Sequence, residues 1–198
     1  MGLNLQNSEG QTPLDEEEKD GLLISSIATR GELDEYEQQN IEEALLWYRG
    51  RSFKPEAILT EQFIQSAHKR MYKDVWAWAG KFRKSNKKIG TEKWNIPSDL
   101  RTLLDDTAYW IQHKTYEPDE IAIRFKHKIV SIHCFPNGNG RHSRLMADII
   151  IKNIYGLKVF SWGTSALNEQ GGIREIYIAA LNEADRGNIE PLLTFARS

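Results

Sequence analysis

The chain has 198 residues, with 26 basic against 28 acidic side chains and a formal net charge of −2. That length suits one domain with its own core, and the near-balance of charge excludes a general basic field directed at nucleic acid or an anionic membrane. The single cysteine, Cys134, excludes an internal disulfide framework. No run approaches the roughly 18 apolar residues of a spanning helix. The opening residues also lack the basic and apolar regions of a secretory leader, so a cytoplasmic protein with no membrane partner and no direct nucleic-acid partner is expected.

In chain order, residues 1–11 are polar and read as loose, and Thr12-Pro13 with Asp15 offers a helix start. Helical spacing recurs over 32–48 through Leu33, Tyr36, Ile41, Leu45 and Tyr48, and over 56–72 through Ile58, Phe63, Ala67 and Met71. Gly80, Gly90 and Pro97 then punctuate short mixed runs that read as a loop or hairpin. The helical pattern resumes over 98–113, with Ser98 as cap and Leu100, Leu103, Leu104 and Trp110 on one side. The segment "EPDEIAIRFKHKIVSIHCF" places Ile121, Phe125, Ile129 and Ile132 on one face, and "GRHSRLMADIIIKNIYG" is apolar nearly all round before Gly156. Both predict buried helices, in an all-α fold of one domain.

Between those two helices lies "HCFPNGNGRHSR", residues 133–144. A glycine-rich turn leading into a helix N-terminus suits an anion, most often phosphate, because unpaired N–H groups and the helix dipole converge there. Arg141 and Arg144, three apart, add forked donors. His133, at the end of the preceding helix, is placed to take a proton from an incoming hydroxyl. Together these describe a phosphate-ester transfer site. Other groups read blandly: His68, His113 and His127 have no partners at metal spacing, His142 reads as exposed, and Trp47, Trp76 and Trp110 read as core. The run Lys81, Arg83, Lys84, Lys87, Lys88 reads as a solvated loop, with a loop edge favouring an acidic target as the sharper alternative. A Cys134–His133 hydrolase pair is rejected, since adjacent helix residues do not face each other.

The stretch "HCFPNGNGRHSR" resembles the signature of the Fic/Doc (Fido) family at His133, Phe135, Gly138, Asn139, Gly140, Arg141 and Arg144. The likeness extends over about residues 56–197 through "VWAWAGKFR", "KKIG" and "YIAALNEADRGNIEPLLTF". With "ATRGELDEYEQQNIEEALLWYRGR" included, the chain resembles most the bacterial subgroup called mobile mystery protein B. The resemblance implies a helical bundle around a central helix–turn–helix, with a small β-hairpin flap. It also implies transfer of AMP from ATP to a Ser, Thr or Tyr of a target protein. By residue, it casts His133 as general base and Phe135 as core anchor. Gly138, Asn139 and Gly140 form the anion hole, Arg141 meets the leaving phosphates and Arg144 supports the γ-phosphate. Residues near 86–96, with Lys88, Ile89 and Gly90 among them, form the flap that pairs with a target segment by strand addition.

Asn137 departs from the pattern, standing where the family has the acid that holds Mg²⁺. An amide oxygen can ligate but lacks the charge, so Asn137 is a weak metal candidate and a weakened Mg²⁺ site is expected. A Doc-like kinase and a non-catalytic nucleotide-binding module are the alternatives. Many family members carry an inhibitory helix with [Ser/Thr]-x-x-x-Glu-[Gly/Asn]. Here "SIATRG", Ser26 to Gly31, has Arg30 at the glutamate's place, which leaves absent autoinhibition, an acid from a separate inhibitor (as in a toxin–antitoxin pair), or an accidental alignment. Thr12–Glu16 and Ser165–Glu169 repeat only the spacing.

Overall fold

A computed structural model describes residues 15–163 and 172–198; the Thr12-Pro13 start and the Ser165–Glu169 spacing lie outside the described residues. Most of the apolar periodicity becomes helix. After α1 (Glu16–Lys19), α2 runs Arg30–Arg49. A capping box opens α2: the Thr29 hydroxyl accepts the Glu32 N–H, and the Glu32 carboxylate accepts the Thr29 N–H at 2.9 Å. The helix expected as one over 56–72 is two, α3 (Pro55–Ile58) and α4 (Glu61–Tyr72). Thr60 divides them: on extended backbone, its hydroxyl donates to the Ala57 carbonyl (2.8 Å) and accepts the Phe63 N–H (3.1 Å).

Ser98 is not the cap of the next helix. A short 3₁₀ turn, Lys93–Asn95, leads into α5 (Ile96–His113), where Pro97 fits a first turn that needs no N–H. Ser98 instead donates back to the Asn95 carbonyl at 2.9 Å. The chain continues through α6 (Pro118–Ile132), α7 (Asn139–Tyr155), α8 (Ile173–Asp185) and α9 (Glu190–Arg197). The helix α7 stops at Gly156, whose left-handed backbone gives the expected C-cap.

The pair α6–α7 forms the centre. The helices α5 and α9 cover α6, α3 and α4 cover α7, α2 lies on α4, and α8 packs on α9. The residues read as the inner face of α6, Ile121, Phe125, Ile129 and Ile132, are buried, as are Leu145, Met146, Ile149 and Ile150 of α7. Each such side chain contributes on the order of 1.5–3 kcal/mol by leaving water. On α2 the inner face differs from the expected one by a residue: Tyr36 is 44% exposed, and Glu37 takes the buried register between Leu33 and Ile41.

The expected β-hairpin flap does not form. Among the described residues the β-type pairing is one isolated antiparallel bridge, Leu22 with Trp76. It is supported by Leu23 N–H to Val75 O (2.9 Å) and Ala77 N–H to Gly21 O (2.8 Å). Residues 81–92 form bends, because their backbone groups bond to the end of α6 and to one buried side chain rather than to each other. No helix among the described residues is long and apolar enough to cross a membrane.

Candidate active site

The turn between α6 and α7 is held by its own side chains. His133 ends α6 in the left-handed region (φ 59°), with its N–H still bonded to Ile129 O at 3.2 Å. Asn139 then closes the loop onto Phe135 in both directions: Phe135 N–H to Oδ1 at 2.9 Å, and Nδ2–H to Phe135 O at 2.8 Å. Gly138 begins α7 at φ 76°, so close to Tyr72 that a Cβ there would lie 2.4 Å from the phenol oxygen. A side chain at 138 is thus excluded by both conformation and space.

Phe135 is fully buried and stacks on His68 (3.8 Å between ring centroids, 14° between planes). His68 is a brace rather than a bystander. Its Nδ1 accepts the Gly80 N–H at 3.0 Å, which fixes the proton on Nε2 for donation to Asn137 O at 3.0 Å. Burial holds this ring neutral, its pKa well below the ordinary histidine value. His142, expected to be exposed, is 1% exposed and donates from Nε2 to Ile64 O at 3.1 Å. Position 142 points toward α4 because α7 is enclosed on that side, so its register rather than its nearness to the turn decides its burial.

His133 is 4% exposed, with its pKa lowered to about 4, first by burial and then by the charges of Arg83 and Lys87, against a raising bond to the Val130 backbone. Its ring is therefore neutral at physiological pH and able to accept a proton. An anion brought beside it would raise its basicity. The neighbouring Cys134 is buried and its thiol is pushed up to about 12, which suits an inert core residue.

The backbone amides of Asn139, Gly140 and Arg141 fall in the first turn of α7, where a helix has no carbonyl one turn back to accept them. The N–H of His142 is the first spent within the helix, on Gly138 O (2.9 Å), and that of Gly138 goes to Asn137 Oδ1 (2.6 Å). Asn137 thus uses its amide oxygen on the turn. No group of three His, Cys, Asp or Glu side chains among the described residues could hold a metal ion, and this donor set does not fit a protein-built Mg²⁺ site.

The two arginines meet different elements. Arg141 donates to Glu37 Oε2 at 2.7 Å, and the other oxygen of that 1%-exposed carboxylate accepts Trp76 Nε1–H at 2.8 Å. Arg144 sits 5.9 Å from the Tyr177 ring. The hydroxyl of that ring accepts from the fully buried Lys126 (2.6 Å), whose pKa is held well below the ordinary lysine value, first by burial and then by Arg144. Arg30 pairs with Asp34 (2.9 Å) within α2, so the acid facing the motif comes from Glu37 and faces Arg141.

The loop over His133 brings in the last group. Gly90, at φ 102°, passes so near that a Cβ there would lie 2.5 Å from His133 Cβ, and Ile89 beside it is 57% exposed. Glu37 and Lys126 are buried polar groups that the sequence pattern did not single out, and Arg83, which reads from sequence as part of a solvated basic run, is buried as well. Two of them left a signal: Glu37 is spaced four residues from both Leu33 and Ile41, and Lys126 interrupts the apolar stripe of α6.

Comparison with known proteins points to one family. Residues 58–151 match the family model described as Fic/DOC. The chain is 26% identical over 180 residues to "Protein adenylyltransferase Fic" from Aedes aegypti, covering 88% of this chain and 34% of that protein. It is likewise 26% identical to the protein of the same name from Nematostella vectensis, covering 88% and 40%. The chain thus spans about a third of the length of these curated relatives. Among solved structures, BepC of Bartonella tribocorum with bound AMPPNP superposes with a TM-score of 0.67 at 15% identity, covering 92% of this chain and 97% of that one. The chain belongs to the Fic/DOC family, through the core at residues 58–151 that builds the His133–Arg144 turn.

Proposed function

We propose that the chain is a protein adenylyltransferase that moves AMP from ATP to a hydroxyl side chain of a target protein. One observation carries the reading most directly: a neutral, buried histidine ends one central helix where the open amides of the next helix and Arg141 begin. The relatives named as adenylyltransferases and the AMPPNP-bound neighbour support it.

The steps follow from the side chains. The first-turn amides of α7 receive phosphate oxygens, and the helix dipole adds to their pull. Arg141 and Arg144 neutralise the charge that grows on the departing phosphates. The acceptor hydroxyl of a Ser, Thr or Tyr attacks the α-phosphorus while His133 takes its proton. The α–β bridging bond breaks, and pyrophosphate leaves with the bond's electron pair. The bound phosphates raise the basicity of His133 at the moment it is needed. The loop edge Lys88–Gly90 lies beside His133 and offers its backbone to an extended target segment. Mg²⁺, where it accompanies ATP, would shield phosphate charge, and none of these steps runs through it.

The test follows the label. Incubation with a cell lysate and ATP labelled at the α- or the γ-phosphate should leave α-label on protein and no γ-label. Retention of γ-label alone would mean phosphate transfer instead. A second reading, nucleotide binding without transfer, is favoured by Asn137, which puts no charge at the turn and spends its oxygen on Gly138. Asn137→Asp separates the two: increased turnover marks a weakened enzyme, and absence of turnover in both forms marks a binding module.

A further inference from the structure

Arg83 lies in the run that reads from sequence as a solvated basic loop, yet it is 3% exposed. Its named acceptors are all main-chain carbonyls: His133 from Nε at 2.6 Å, Ser85 from Nη1 at 2.8 Å, and from Nη2 both Thr91 and, at 3.5 Å, Ile132. Two backbone bonds close the same ring, Arg83 N–H to Cys134 O (2.9 Å) and Thr91 N–H to Ile132 O (3.2 Å). The carbonyls of Ile132 and His133 are helix-end acceptors that α6 cannot satisfy itself, and a cation at a helix C-terminus also meets the negative end of the dipole.

We infer that Arg83 is a positioning residue: it ties residues 85–91 to the end of α6, holding the His133 ring and the exposed edge Lys88–Gly90 as one unit. The proposal rests on the reading of His133 as the base. A left-handed backbone at a non-glycine residue persists only where its surroundings over-determine it, and the bond from Arg83 to His133 O is one such constraint. The planar fork reaches both segments at once. A lysine keeps the charge but cannot span the carbonyls in that fixed geometry.

The same guanidinium affects the ring's titration. After burial, Arg83 is the next cause lowering His133, and Lys87 from the same loop adds to it; the Val130 backbone bond on α6 opposes both. Removing the Arg83 charge should therefore move the His133 titration to higher pH.

Arg83→Met and Arg83→Lys test the proposal by Lys-specific proteolysis, NMR titration of the His133 ring, ATP binding and α-label transfer. Both variants are expected to stay helical, with cleavage after Lys84, Lys87 or Lys88 about tenfold faster as the loop opens locally. Transfer should fall about tenfold or more while ATP binding stays within about twofold, the pattern of lost positioning. The titration should rise in both variants as the ring loses cover, and further in the Met variant, which also loses the charge. Wild-type cleavage and transfer in a folded variant would overturn the proposal, and so would unfolding of both, which would make Arg83 a plain core residue. If the wild-type protein transfers no AMP, the adenylyltransferase reading fails, and cleavage with ring titration still decides the role of Arg83.

Discussion

At Gly140 the fold and the proposed chemistry make opposite demands. The residue lies in the first turn of α7, outside the left-handed region, and a Cβ there would meet nothing within 4 Å. Neither backbone strain nor packing calls for glycine, whereas phosphates approaching the amides would need the space. Gly140→Ala should therefore raise unfolding free energy by about 0.5 kcal/mol and weaken ATP binding by about tenfold, as judged by urea unfolding and calorimetry. Unchanged affinity would place the phosphates elsewhere. Titration gives a second residue-scale expectation. His133 and His142 both have folded pKa values lowered to about 4, so the unfolded chain binds more protons between about 6.5 and 4. Stability should fall as pH drops through that window. Asp148, raised to about 6 mainly by burial, works in the opposite direction between about 6 and 4 and offsets part of the loss. Urea midpoints across pH 4–7 would show the net decline, and the decline should shrink in His142→Gln.

At the scale of elements, legibility followed the strength of local pattern. The helices α6 and α7 could be read because apolar periodicity holds over four turns of each, and a glycine stop closes α7. The split at Thr60 could not, because apolar spacing continues across it and only the side-chain bonds of Thr60 reveal the break. Thr60→Ala should cost about 1 kcal/mol in urea unfolding, the ordinary value of a lost N-cap; no change would mean that α3 and α4 are held by packing alone. The flap failed as a hairpin for a related reason. Its bonding partners are not in the flap but at the end of α6 and just beyond it, and no local spacing announces a bond from residue 83 to residue 133.

Across the whole molecule, the turn is enclosed by residues far apart in sequence. Glu37 and Arg141 are 104 positions apart, Lys126 and Tyr177 are 51 apart, and His68 and Asn137 are 69 apart. His133, the glycines and both arginines were legible through the family signature, but their partners were not, since a single sequence carries no record of which helices face each other. The Glu37 pair docks α2 onto α7. Glu37→Ala would leave the Trp76 N–H and the Arg141 guanidinium without that carboxylate, and should lower unfolding free energy by about 2 kcal/mol, below the usual cost for a buried pair because Arg141 is one-third exposed. An unchanged urea midpoint would mean that α2 is held by its apolar face alone.

The central claim is that His133 takes the acceptor's proton, and the most direct measurement compares α-label transfer by the wild type with that by His133→Ala at equal, verified ATP affinity. Loss of at least about a hundredfold in the variant, with binding intact, is the result expected of a general base. Transfer that survives the substitution would contradict the account, leaving the turn as a nucleotide cradle whose chemistry lies with other residues.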